Sequence, residues 1–99
     1  MPNDGSFSKF EGSKFPLGRT VITANALEAL GPADVFTALR RHAAGDWGEL
    51  DPEDQQANER ALIEGTRLVS VYRSAAGECF YVITEWNRSL TTVLLPEDY

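Results

Sequence analysis

Ninety-nine residues, 42% hydrophobic and 24% charged, describe one ordinary globular domain with little core to spare. No apolar run approaches the roughly 20 residues that a membrane-spanning helix needs, and the N-terminus lacks the basic-then-apolar layout of a secretory signal. The net charge of −6 sits in one segment: residues 42–65 carry seven acids (Asp46, Glu49, Asp51, Glu53, Asp54, Glu59, Glu64) against Arg60, while residues 1–41 sum to +1 and residues 66–99 to −1. Such a surface repels polyanions, which argues against nucleic acid as a partner.

Residues 1–16 read as an N-terminal extension without regular structure, because Asn3, Gly5, Ser6, Ser8, Gly12, Ser13 and Pro16 interrupt any period. Its three phenylalanines, Phe7, Phe10 and Phe15, are expensive to leave in water, so at least one is expected to dock on the domain or a neighbour. A single domain is expected over residues 17–99. Gly18–Ile22 forms a short first strand, and Thr23 caps a helix over Ala24–Leu30 that Gly31 stops. Pro32 opens a second helix running to about Ala44, with Val35, Phe36, Leu39 and Ala43 as its apolar stripe.

Asp51-Pro52-Glu53-Asp54 is the clearest helix start in the chain: a capping carboxylate, a proline at the first turn, and acids facing the positive end of the dipole. This third helix proceeds to Glu64 and stops at Gly65; its apolar face of Ala57, Ala61 and Leu62 is thin, with Asn58 among them. Arg67–Arg73, Glu78–Thr84 and Leu90–Leu95 follow as β-branched and aromatic runs joined by hairpin-length turns, which predicts an antiparallel meander. The order β-α-α-α-β-β-β predicts an α+β fold with an antiparallel sheet and helices on one face. The first strand is expected to pair with a strand of the meander. Cys79, Tyr81 and Ile83 oppose Phe80 and Val82, and Val93 and Leu95 oppose Leu94, so both sheet faces are apolar. The face the helices leave uncovered is expected to meet a second copy of the chain in a homodimer, with the N-terminal tail as the alternative cover.

Little in the chain points to chemistry. His42, the only histidine, has the side chain of a general base at neutral pH, although its place near a helix end also suits a charge at the negative end of the dipole. Asp46, Glu49, Asp51 and Asp54 do not follow the alternating oxygen pattern of a calcium loop, so neither metal nor cofactor is expected. The lone Cys79 excludes an internal disulfide and fits a reducing cytoplasm. Trp47 is expected to anchor its loop by burying the indole. Trp86, at a hairpin tip beside Arg88, has the composition of an interaction hot spot, with packing back on the sheet as the bland alternative. Arg67 and Arg73 are expected to pair with acids of the third helix, with binding of an anion as the alternative.

Gly18-Arg-Thr-Val-Ile22, His42, Gly45-Asp-Trp-Gly48, Asn58 with Ala61-Leu62, Gly65 with Arg67-Leu68, Ser70-Val-Tyr72, Ile83-Thr-Glu85, Arg88-Ser89 and Thr91–Pro96 with Tyr99 together resemble a group of small bacterial proteins labelled "plasmid-related protein". The resemblance covers about residues 18–99 and implies an accessory role on a plasmid or other mobile element, with no activity attached. A looser, fold-level resemblance is to the RelE/ParE ribonuclease toxins, which are typically basic where this chain is acidic. Two expectations result. The first is a non-enzymatic protein acting through a protein partner, with Trp86, Arg88, Glu53, Asp54 and Glu59 at the contact. The second is an RNA-cleaving domain in which His42, Arg73, Arg88 and Tyr99 converge in one cleft.

Overall fold

A computed structural model describes residues 12–99. The elements are β1 (Arg19–Ile22), α1 (Ala24–Ala29), α2 (Pro32–Ala43), α3 (Pro52–Glu64), β2 (Leu68–Arg73), β3 (Cys79–Thr84), β4 (Leu90–Leu94) and a closing 3₁₀ turn, Pro96–Asp98. The fold is α+β. Helix ends follow local chemistry: the Thr23 hydroxyl accepts from the Ala26 amide, the Asp51 carboxylate accepts from the Asp54 amide at 2.8 Å, and Gly65 closes α3 in the left-handed region. Among the described residues no helix is long and apolar enough to cross a membrane.

The sheet is mixed, not antiparallel throughout. Its order is β1-β4-β3-β2; the meander strands pair antiparallel, but β1 lies parallel to β4, with Thr20 opposite Thr91 and Ile22 opposite Val93. The reason is topological. The three helices carry the chain from β1 across to the far edge, and the meander then returns strand by strand until β4 meets β1. Two reversals separate β2 from β4, so these two point the same way, and β1 runs with them. A long helical crossover is the connection that a parallel pair requires.

One sheet face holds the core. Leu68, Tyr72, Phe80, Val82 and Val93 pack with Ala26, Ala38, Leu39, Ala43 and Ala61 from the three helices, together with Phe15, Leu17 and Trp47. Phe15 therefore docks on the domain, while Phe7 and Phe10 lie outside the described residues, as does most of the expected extension. The opposite face carries Val21, Val69, Val71, Tyr81 and Thr92, all half-buried, with Ile83 and Leu94 fully buried. Part of its cover comes from the C-terminus. Pro96 ends the strand, and Asp98 turns back to accept from Thr23 Oγ1, Asn25 Nδ2 and the Leu95 amide. The Tyr99 ring meets Tyr81 edge-on at 6.0 Å.

Two glycines are obligatory. Gly18 and Gly48 both have positive φ (67° and 78°), and a Cβ on either would collide with main chain, of Arg88 and Ser89 in the first case and of Val71 in the second. The close approach at Gly48 forms a one-residue parallel bridge to Val71, through Glu49 N to Val71 O at 2.7 Å and Val71 N to Trp47 O at 3.2 Å.

Candidate functional site

His42 is fully buried in the core and not at a solvated helix end. It sits in a chain of hydrogen bonds whose direction can be worked out. The carbonyl of Leu17 is an acceptor only, so Thr91 Oγ1 donates its one hydrogen there, at 2.6 Å. Thr91 must then accept from Thr84 Oγ1, at 2.6 Å, and Thr84 in turn must accept from His42 Nε2, at 2.9 Å. His42 is thus the neutral Nε2–H tautomer, and Nδ1 accepts from Ser70 Oγ at 2.6 Å. Ser70, Thr84 and Thr91 are each wholly buried. Burial pushes the imidazole down to about 3, with the positive charge of Arg88 acting the same way. Phe15 and Trp47 meet the ring edge-on at 5.3 and 5.7 Å. Every polar atom of the ring is satisfied internally, so this histidine ties α2 to β2, β3, β4 and the approach to β1. It has no face open to a substrate.

Arg88 is also an internal strut. Its guanidinium donates to the carbonyls of Thr66 (2.6 Å), Ala61 (2.9 Å) and Glu85 (3.1 Å) and lies over the Phe15 ring at 5.7 Å. Ala61 lies in the last turn of α3 and Thr66 just past its Gly65 cap, and the Ala61 carbonyl also accepts from the amides of Gly65 and Thr66, so the guanidinium adds to the helix C-terminal cap. The residue holds a positive φ of 60°, unusual for a branched-chain-free but bulky side chain, which aims it from the hairpin turn back onto the helix. Arg88, expected at a partner contact, has its guanidinium engaged in these bonds. The turn is completed by Arg88 N to Glu85 O and by Asn87 Oδ1, which accepts from Ser89.

The strut brings the β3–β4 hairpin tip to the end of α3. Trp86 on the tip is 65% exposed, so it does not pack back on the sheet, and Ile63 on the last turn of α3 is 87% exposed. These two large apolar side chains share one end of the molecule. Ile63 was not singled out by the sequence reading; the available signal was an isoleucine off the Asn58–Ala61 face of the helix. Of the acids, Glu59 accepts from Trp47 Nε1 at 2.8 Å and is committed to anchoring that buried indole. Glu53, Asp54 and Glu64 are exposed and form no ion pair among the described residues.

The arginines of the sheet pair elsewhere than on α3. Arg67 meets Glu85 at 3.5 Å and donates to the Tyr99 hydroxyl at 3.1 Å, whereas Arg73 meets Glu49 at 3.2 Å and the Gly77 carbonyl at 3.1 Å. Tyr99 is thus tied to one end of β2 and Arg73 to the other, about 20 Å away at ~3.3 Å per residue. With His42 enclosed and Arg88 engaged, the structure does not bring His42, Arg73, Arg88 and Tyr99 into one cleft. Among the described residues no three of His, Cys, Asp and Glu gather as a metal site. No family model, no curated protein and no solved structure matches the chain.

Proposed function

We propose that this chain is a binding protein that acts through a protein partner, and that the contact is the end of the molecule carrying Trp86 and Ile63. The observation that carries this reading is the exposure of both side chains on a rigid mount: Arg88 fixes the hairpin tip to the end of α3 by bonds to the Ala61 and Thr66 carbonyls. A monomeric surface that leaves a tryptophan and an isoleucine in water forfeits roughly 1.5–3 kcal/mol for each apolar side chain it fails to bury, and aromatic anchors of this kind dominate interface energetics. The free acids of α3, Glu53, Asp54 and Glu64, favour a partner with a basic rim, which they would attract before contact. The resemblance to plasmid-related proteins suggests a mobile element as the setting for that role.

A direct test is capture from a lysate of the source cells by wild type, by Trp86→Ala with Ile63→Ser, and by a Glu53→Lys, Asp54→Lys, Glu64→Lys variant, each with crosslinking to locate the contact. The expected result is a partner crosslinked beside residues 63 and 86, lost in the apolar variant and weakened at high salt and in the charge-reversed one. Identical capture by all three forms would reject this end as the contact.

A further inference from the structure

The two edges of the sheet are finished differently. On β2, the outward main-chain groups of Val69 and Val71 have partners from within the chain. Asn58 presents its side-chain amide to Val69 as a strand would, donating to the carbonyl at 2.7 Å and accepting from the N–H at 3.3 Å. Val71 is paired by Trp47 and Glu49. On β1, Arg19 N bonds Ser89 O and Thr23 N bonds Val93 O, so the odd-numbered residues face β4 and Thr20 and Ile22 turn their N–H and C=O outward. Among the described residues nothing meets those groups. Natural sheets blunt the edges they do not use, and this chain blunts one only.

We infer that β1 is the interface of a two-fold dimer, pairing antiparallel with β1 of a second copy to make a continuous eight-stranded sheet. Pairing between unlike edges is blocked along the middle of β2, where Asn58, Trp47 and Glu49 already occupy the groups of Val69 and Val71, so the association is isologous and stops at two copies. Thr20 would face Ile22 of the other copy in two hydrogen-bonded pairs, with Val21 opposite Val21 at the centre. The charge distribution selects this geometry. Residues 12–41, which supply β1, α1 and α2, hold four bases (Lys14, Arg19, Arg40, Arg41) against two acids (Glu28, Asp34), while the −6 segment forms α3 and its approach at the β2 edge. Joining β1 to β1 puts the β2 edges about seven strand spacings apart, roughly 34 Å, well beyond the ~8 Å over which charges are felt at physiological salt. Any contact through α3 would press two acidic surfaces together. An apolar cleft of about 310 Å³ lined by Ile22, Leu27, Leu30, Val35 and Leu39 opens beside β1, and Leu27 on its rim is 66% exposed; pairing brings this rim toward its symmetry mate. This interface does not depend on the Trp86 end, and the two-fold would turn the two Trp86 tips to opposite ends of the joined sheet.

The test is sedimentation velocity on the full chain over a roughly hundredfold range of concentration, with Val21→Lys as the disrupting variant and Trp86→Ala as the control. A reversible dimer is expected, unchanged in Trp86→Ala and weakened at least about tenfold in Val21→Lys, where like charges would sit directly opposite. Since the lysine variant could lose its fold, Val21→Cys in a Cys79→Ala background is the second arm: a non-hydrogen-bonded antiparallel pair sets its Cα atoms about 4.5 Å apart, within disulfide reach, so oxidation should yield a covalent dimer through residue 21. A wild type that remains monomeric throughout, a Val21→Lys dimer as tight as wild type, a dimer lost in Trp86→Ala, or absence of the residue-21 crosslink would each overturn the proposal.

Discussion

The interior and the rim of this domain use polar side chains in opposite ways. Inside, Ser70, His42, Thr84 and Thr91 form one directed chain ending on the Leu17 carbonyl, and each member has its partner dictated by the next. Outside, Arg41–Asp46, Arg67–Glu85 and Arg73–Glu49 are pairs whose side chains are a third or more exposed, and exposed pairs contribute little. The lesson is that the position of a polar group decides its worth. A buried group left without its partner costs the full desolvation of what remains, whereas a rim pair simply returns to water.

Removing the imidazole should have the largest effect. His42→Ala leaves Ser70, Thr84 and a cavity unfilled, and about 3–5 kcal/mol of stability should disappear in chemical denaturation. Acid should act on the same residue next. The native imidazole is held near 3 while the unfolded one titrates near 6.5, so the unfolded chain binds a proton that the folded chain refuses. The resulting stability is complete above pH 6.5 and declines as pH falls toward 3. Denaturation at pH 7 and at pH 4 should differ by roughly 3 kcal/mol, and His42→Gln should flatten that part of the profile. Asp98 and Asp46, held low by bonds from Thr23 and Arg41, push the same way at more acid pH.

Arg88→Ala should cost about 2 kcal/mol, since it removes three charge-assisted bonds to carbonyls and unfixes the hairpin tip from the end of α3; Arg88→Lys should recover little, because an ammonium cannot reproduce the guanidinium fork. A thermal melt that does not move in the alanine variant would remove the strut from this description. At the small end, Arg73→Ala and Trp86→Ala should each alter stability by less than about 0.5 kcal/mol, even though the second should abolish partner capture.

Local signals in the chain were easy to read. Asp51-Pro52 and Gly65 bracket α3 as expected, and the turns at 74–77 and 85–88 join strands of the meander, because caps and turns depend on neighbours in sequence. Long-range pairing was not legible. The parallel seating of β1 on β4 follows from how three helices cross the sheet, and nothing in Arg19–Ile22 encodes its direction. Asn58 read as an interruption of an apolar face, yet it is a main-chain substitute for the strand edge. His42 read as a helix-end charge because its partners lie 28 and 42 residues away. Trp86 had two readings by type, an anchor for a partner or packing back on the sheet; its exposure goes with Arg88 reaching α3, which no local pattern announces.

Nitrogen-15 chemical shifts of the His42 ring, followed from neutral pH to the onset of acid unfolding, test the account most directly. A locked structural imidazole predicts a protonated Nε2, an unprotonated Nδ1 and no titration step above about pH 4. An inflection near 6.5, or a proton on Nδ1, would mean that the ring is open to solvent and free to act as a base, and the division between a structural interior and a binding rim would not stand.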